Sequence, residues 1–180
     1  MTENILIGFE AIQNIMKGCI EAEMTPDGLL RDVETFVPVF LDEANIEEPC
    51  VWMFQHATIP TRDADISHTM DLQTPFEFDC AVYESDIEDA VTSSQNLCNR
   101  VILSILKNFL SVQSTVLNGR RVIRNITLDT YSPVGELTIT GKSDKVPVTG
   151  VVLNVTHTVN WTMCCRNLEN QNQNQNNQGE

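Results

Sequence analysis

Three histidines are the side chains of this sequence best suited to proton transfer, because an unperturbed histidine ionises near neutral pH. His68 is close in sequence to Asp63 and Asp65, which makes it the one candidate for acid–base catalysis. His56 and His157 fall on the core-facing positions of alternating strand patterns, where we expect each to be buried and hydrogen-bonded. The histidines therefore give one weak catalytic candidate and two expected core residues.

Charged residues gather in two segments that could contact a partner. Three of the eleven basic residues lie between Gly119 and Arg124, and this cluster suits either a nucleic acid or an acidic patch on another protein. A second group lies in the turn between two short extended stretches, Leu137–Thr140 and Val146–Val148. The candidate contact residues are Arg120, Arg121, Arg124, Lys142, Asp144 and Lys145.

Acidic loops offer the only candidates for binding a cation. Asp63 and Asp65 form one pair, and a second group precedes Cys50; solvated loops also carry such residues without binding anything. The residues of that second group are Asp42, Glu43, Glu47 and Glu48.

The motifs of common enzyme classes are absent from the sequence. Gly141-Lys-Ser lacks the upstream glycine of a phosphate-binding loop, and no nucleophile elbow or dinucleotide-binding turn is found. No pair of cysteines and histidines has the spacing of zinc ligands, and Cys164 and Cys165 are adjacent. We expect Cys19, Cys50, Cys80 and Cys98 to be small core residues. The sequence thus predicts no catalytic residue, no metal and no cofactor, and a protein that is not an enzyme.

Net charge limits the partners of the chain. With 25 acidic and 11 basic residues the formal net charge is −14, which disfavours binding of nucleic acid through phosphate neutralisation. No basic segment followed by an apolar run opens the sequence, and no apolar segment is long enough to cross a bilayer. We expect no membrane contact and a protein that is made and used inside a cell.

One long amphipathic helix organises the elements around these residues. Apolar residues recur at steps of three and four from Ser85 to about Leu110, with Ser85 as the expected N-cap and Glu88 completing a capping box. The predicted inner stripe comprises Ile87, Ala90, Val91, Ser94, Leu97, Cys98, Val101, Ile102, Ile105, Leu106 and Phe109.

The rest of the chain predicts strands around this helix. A first helix over residues 3–22 precedes an edge strand in 33–41, a central strand in 50–59 and an alternating strand in 70–82. After the long helix we expect a short strand at 126–131, a protruding hairpin between Ser132 and Gly150, and a last strand from Val151. This order predicts an α+β fold, a two-layer sandwich whose mostly antiparallel sheet carries both helices on one face. One domain spans 1–166, and the Asn/Gln-rich residues 167–180 are expected to be a disordered tail.

Over residues 1–165 this succession resembles the tail terminator, or tail completion, proteins of tailed bacteriophages. The likeness rests on the N-terminal helix, the run of strands, the long helix, and the last strand from Gly150 to Trp161. It implies a homohexameric ring in the virion, assembled in the host cytoplasm, that ends the tail tube and joins it to the neck. The implied partners are other copies of the chain, the tail tube protein, the sheath, and the neck or head-closure protein. DNA would pass through the lumen without specific binding.

Two other classes fit the same elements. One is another neck, head–tail connector or baseplate component, and the other is a cellular α+β ligand-binding module with a pocket between sheet and helices.

Overall fold

The computed structural model describes residues 9–38, 48–61, 69–113, 116–117, 120–121, 123–138 and 145–160. Two helices and eight strands follow one another in this part of the chain, and the predicted α+β class is confirmed. Their bounds are α1 Phe9–Glu21, β1 Thr35–Val37, β2 Cys50–Gln55, β3 Ile59–Pro60, β4 Thr69–Ala81, α2 Ile87–Gln113, β5 Val116–Leu117, β6 Arg120–Arg121, β7 Ile123–Thr138 and β8 Lys145–Asn160.

Six of these strands form one sheet in the order β1-β2-β4-β8-β7, with β3 paired to β4. All pairs are antiparallel except β1 with β2, so the prediction of a mostly antiparallel sheet is confirmed. β1 lies at the edge, as expected for a segment followed by Pro38, and β2 has neighbours on both sides. β5 and β6 form a separate two-stranded ribbon. The sequence contained a signal for that ribbon in Asn118-Gly119, the dipeptide favoured in two-residue hairpin connections.

The long helix forms where its apolar stripe predicts, with a different start. Asp86, not Ser85, is the N-cap, because its carboxylate accepts the backbone N–H groups of Glu88 at 2.8 Å and Asp89 at 3.3 Å. The middle of the predicted stripe is buried, including Leu97, Val101 and Ile105. Ile87 and Leu106 were expected inside and are exposed.

One hydrophobic core lies between the helices and the sheet. α2 contacts β4, β7 and β8, and α1 lies beside α2. The core combines Ile12 and Met16 of α1 with the helix-facing side chains of the sheet, such as Phe76 and Phe78. Burial of these large side chains removes apolar surface from water, which is the main force that holds α2 on the sheet and α1 against α2.

A second, smaller hydrophobic cluster lies on the opposite face of the sheet. It contains Val37, Cys50, Trp52, Ala81, Val146 and Val148, with Phe54 packed against it. The opposite face of β4 was expected to be exposed to water, and that expectation is wrong at the Ala81 end of the strand. The alternation along β4 could not show this, because alanine is compatible with either environment.

The last part of the sheet is a single long hairpin. β7 and β8 pair from Ile123 opposite His157 to Thr138 opposite Lys145, with register shifts at three points along β7. The separate short strand, hairpin and last strand that the sequence predicts are therefore two strands of 16 residues each. The Gly and Pro residues suggested that the strands are interrupted, but the pairing of β7 with β8 continues past them through β-bulges. The tip, residues 139–144, lies outside the described residues, so its protrusion stays a prediction.

Candidate functional site

Three titratable side chains meet on the face of the sheet that the helices leave uncovered. The register of β2 on β4 places Phe54 opposite Glu77 and Trp52 opposite Asp79, and β8 places Gly150 on the other side of Asp79. His56 follows β2, and its Nε2 lies 2.7 Å from Oε2 of Glu77. We name His56, Glu77 and Asp79 the open-face cluster.

The position of His56 corrects its sequence-based interpretation. We expected a buried core histidine, and the ring is instead exposed and paired with Glu77. The even-numbered residues of β2 face away from the helices, whereas the even-numbered residues of β4 face them. Since β2 is apolar on both faces, its sequence could not indicate which face carries His56.

Asp79 has the most perturbed carboxyl group of the cluster. Its pKa is raised to about 6, mainly by burial and then by the negative charge of Glu77, while His56 acts in the opposite direction. Its neighbour Gly150 leaves room for the carboxyl group, because a Cβ at Gly150 would lie 2.7 Å from Oδ1 of Asp79. The carboxyl group of Asp79 therefore binds or releases a proton under mildly acidic conditions.

The open-face cluster brings a histidine and two carboxyl groups together, which can form polar contacts with a partner. Among the described residues, no group of three or more His, Cys, Asp or Glu side chains is arranged to hold a metal ion. The four described cysteines are buried free thiols, as predicted, and burial raises the pKa of Cys80 and Cys19. A thiol with a raised pKa is a poor nucleophile.

Arg124 on β7 belongs to a network of side-chain hydrogen bonds that extends across β8 to β4. Its Nε donates to Oγ1 of Thr158 at 2.7 Å, and its guanidinium lies 3.2 Å from Oδ2 of Asp71. Thr158 in turn donates to Oδ1 of Asp71 at 2.8 Å. The guanidinium is half exposed, so it retains donors that face solvent.

Of the other predicted contact residues, only Lys145 can be placed relative to Arg124 in the described part of the chain. Arg120 and Arg121 form β6, opposite Leu117 and Val116, and their side chains lie outside the described part. Lys145 begins β8 opposite Thr138. At about 3.3 Å per residue, Thr138 and Arg124 are roughly 45 Å apart along β7. Lys142 and Asp144 lie outside the described residues.

His157 fulfils its expected role. It is buried, and its Nε2 lies 2.9 Å from Oγ1 of Thr74 on the adjacent strand. Burial lowers the pKa of this histidine, while the charge of Asp71 raises it. His157 is thus a neutral structural residue at neutral pH.

The remaining sequence-based candidates fall mostly outside the described residues. This applies to His68, Asp63, Asp65, Asp42, Glu43, Glu47, Cys164 and Cys165. Glu48 is described and partly buried just before β2.

The open-face cluster is the feature that sequence reasoning missed. The alternation of β4 did place Glu77 and Asp79 on the same face, which was half of the signal. The other half, the approach of His56 and Gly150, depends on strand pairing between distant segments.

No protein-family model and no curated protein matches the chain. None of the described helices combines the length and hydrophobicity needed to cross a membrane.

Proposed function

We propose that the chain is a structural virion protein of a tailed phage, which forms a ring that terminates the tail tube and joins it to the neck. Six copies per ring is the proposed stoichiometry. The neighbours in the virion are the tail tube protein, the sheath, and the neck or head-closure protein.

The observation that carries the proposal is the order and packing of the elements. Helix α1 precedes four strands, α2 then packs on the sheet, and β7 and β8 complete the sheet, with β8 in an inner position. This arrangement matches the succession on which the resemblance to tail terminators rests.

The sheet offers a further feature suited to assembly. β7 lies at the sheet edge opposite β1 and is 16 residues long, so one side of its backbone has no strand partner in the described part. Exposed edges of this length usually need protection or a partner in a soluble protein. Its three register shifts bend the edge, which favours specific over indiscriminate pairing.

The excess of acidic residues would allow DNA to pass through the proposed ring without binding to it. A lumen lined with carboxylates would repel phosphate groups, so the genome would not adhere during ejection. Neutralising the carboxylates that face the lumen should then slow genome passage. Ejection at an unchanged rate would reject this part of the proposal.

The mass and shape of the purified full chain test the ring directly. Native mass spectrometry should give six times the chain mass of 20.2 kDa, and negative-stain images should show rings with a central hole. A twelve-membered ring would favour a head–tail connector. A stable monomer that binds a small ligand would favour a cellular binding module and reject the proposal.

A further inference from the structure

The outer side of α2 carries an unusual strip of exposed residues. Its members are spaced alternately by four and three positions, the repeat of a helix face that packs against another helix. We name this the outer strip, and it comprises Thr92, Asn96, Asn99, Leu103 and Leu106.

The outer strip has no charge, although the chain is highly charged. Between Asp89 and Lys107 the only charged residue of α2 is Arg100, and its side chain is held on another side of the helix by Asp32 and by the carbonyl oxygen of Leu29. A solvent-facing helix side in a chain of net charge −14 would ordinarily carry acidic or basic residues.

Two leucines make the strip apolar toward its C-terminal end. Leu103 is 53% exposed and Leu106 is 50% exposed, although both occupy the middle of a regular helix. The core side of α2 is already filled by Leu97, Val101 and Ile105, which lie on the opposite side of the helix. The exposed leucines therefore do not serve the packing of the described domain.

The rest of the chain leaves the strip accessible within the described part. α1 and the turn that follows it lie on the side of α2 that carries Arg100 and Lys107, since Lys107 reaches Glu23 at 2.9 Å. The outward side of α1, over its described side chains, carries the Lys17–Glu21 ion pair.

We propose that the outer strip of α2 is the surface through which one copy of this chain contacts another. Two copies that each carry a net charge of −14 repel one another, so contact between them is least opposed at a surface without carboxylates, and the outer strip is such a surface. A basic partner would instead bind where the acidic residues are. The inference rests on the proposed ring for the identity of the neighbour.

The test compares two variants of α2 in the full-length protein, a double substitution on the outer strip and a single substitution off it. Leu103→Glu with Leu106→Glu introduces two charges into the strip, whereas Ile87→Glu introduces one at an equally exposed apolar position off the strip. Glutamate is a good helix former, so all variants should fold, which circular dichroism and denaturant unfolding will verify.

Sedimentation equilibrium over a range of concentrations then gives the dissociation constant of the assembly. We expect the strip variant to dissociate with a constant at least about tenfold larger than that of the parent, because a buried charge opposes association. The Ile87→Glu variant should associate like the parent.

The possible outcomes separate this inference from the proposed function. If the parent forms a ring and both variants leave that ring intact, the proposal for the outer strip is wrong and the proposed ring stands. If the parent is a dimer and only the strip variant dissociates it, the outer strip is supported as the contact surface and the six-membered ring is rejected. A parent that is monomeric at every concentration overturns both.

Discussion

At the scale of single residues, position 28 has no space for any side chain, which explains its glycine. It follows α1 in a turn whose backbone folds back on Glu23, because the carbonyl oxygen of Glu23 accepts the N–H of Leu30 at 2.8 Å. A Cβ at Gly28 would lie 2.0 Å from that same oxygen. The obstacle is backbone, which a rotamer change cannot move.

Gly28→Ala should therefore destabilise the protein by about 1–3 kcal/mol, the usual cost of forcing atoms into a packed position. Gly18→Ala is the matched control, since a Cβ there meets nothing within 4 Å. Because alanine favours helix, Gly18→Ala should stabilise α1 by about 0.5–1 kcal/mol. Urea unfolding of both variants measures the difference, and equal effects of one sign would contradict the argument.

Asp79 gives a second residue-scale prediction, which concerns pH. Its pKa is raised to about 6 in the folded state, so the folded protein binds more protons than the unfolded chain between about pH 4 and 6. Stability should then fall as the pH rises through that window. Asp79→Asn removes this loss, so the variant should be more stable than the parent at pH 7, by an amount of the order of 1 kcal/mol for a partly solvated carboxyl.

Thermal unfolding at pH 4, 5, 6 and 7 tests the Asp79 prediction. Asp129→Asn, at an exposed position of β7, controls for the loss of one formal charge. If the two variants follow the same pH profile, burial of Asp79 does not govern the effect.

At the scale of elements, one buried carboxylate joins the turn after α1 to the C-terminal part of α2. Glu23 is only 3% exposed and accepts hydrogen bonds from Lys107 at 2.9 Å, from Asn108 at 3.1 Å and from the N–H of Leu29 at 3.1 Å. The hydrogen bond from Lys107 is the largest cause that lowers its pKa, followed by that from Leu29. Three donors on one charged acceptor fix the turn against the helix.

Glu23→Gln should lower the free energy of unfolding by about 2 kcal/mol. The amide keeps the shape of the side chain but loses the negative charge that pairs with Lys107. The pKa of Glu23 is lowered in the folded state, so its stabilisation is present above about pH 4.5 and is lost as the pH falls further. The difference between parent and variant should shrink accordingly in acid. Glu21→Gln, which breaks only the exposed pair with Lys17, should cost less than about 0.5 kcal/mol.

At the scale of the whole molecule, composition predicts where the folded unit ends. Residues 167–180 consist almost entirely of Asn, Gln, Glu and Gly, with Leu168 as the only apolar side chain, so they can bury little surface. A chain that stops after Asn167 should have the unfolding free energy of the parent within about 0.5 kcal/mol. A larger loss in denaturant unfolding would show that the domain boundary after residue 166 is wrong.

The sequence by itself determined the elements with strong periodicity. The stripe of α2 and the alternation of β4 and β8 each reflect one repeat along one segment, so residues such as Val101, Phe76 and Val155 were correctly predicted to be buried. Those patterns also determined the fold class, because an amphipathic helix and half-apolar strands must cover each other.

Only the tertiary structure decided which segments meet and which faces remain open. His56 joins Glu77, and Asp79 lies beside Gly150, through pairing between segments far apart in the chain. Leu106 fits the three- and four-residue spacing of the α2 stripe, but it lies on the side of the helix away from the core and is exposed. Periodicity describes one element at a time, whereas contacts depend on the register and width of several elements together, which no single segment encodes.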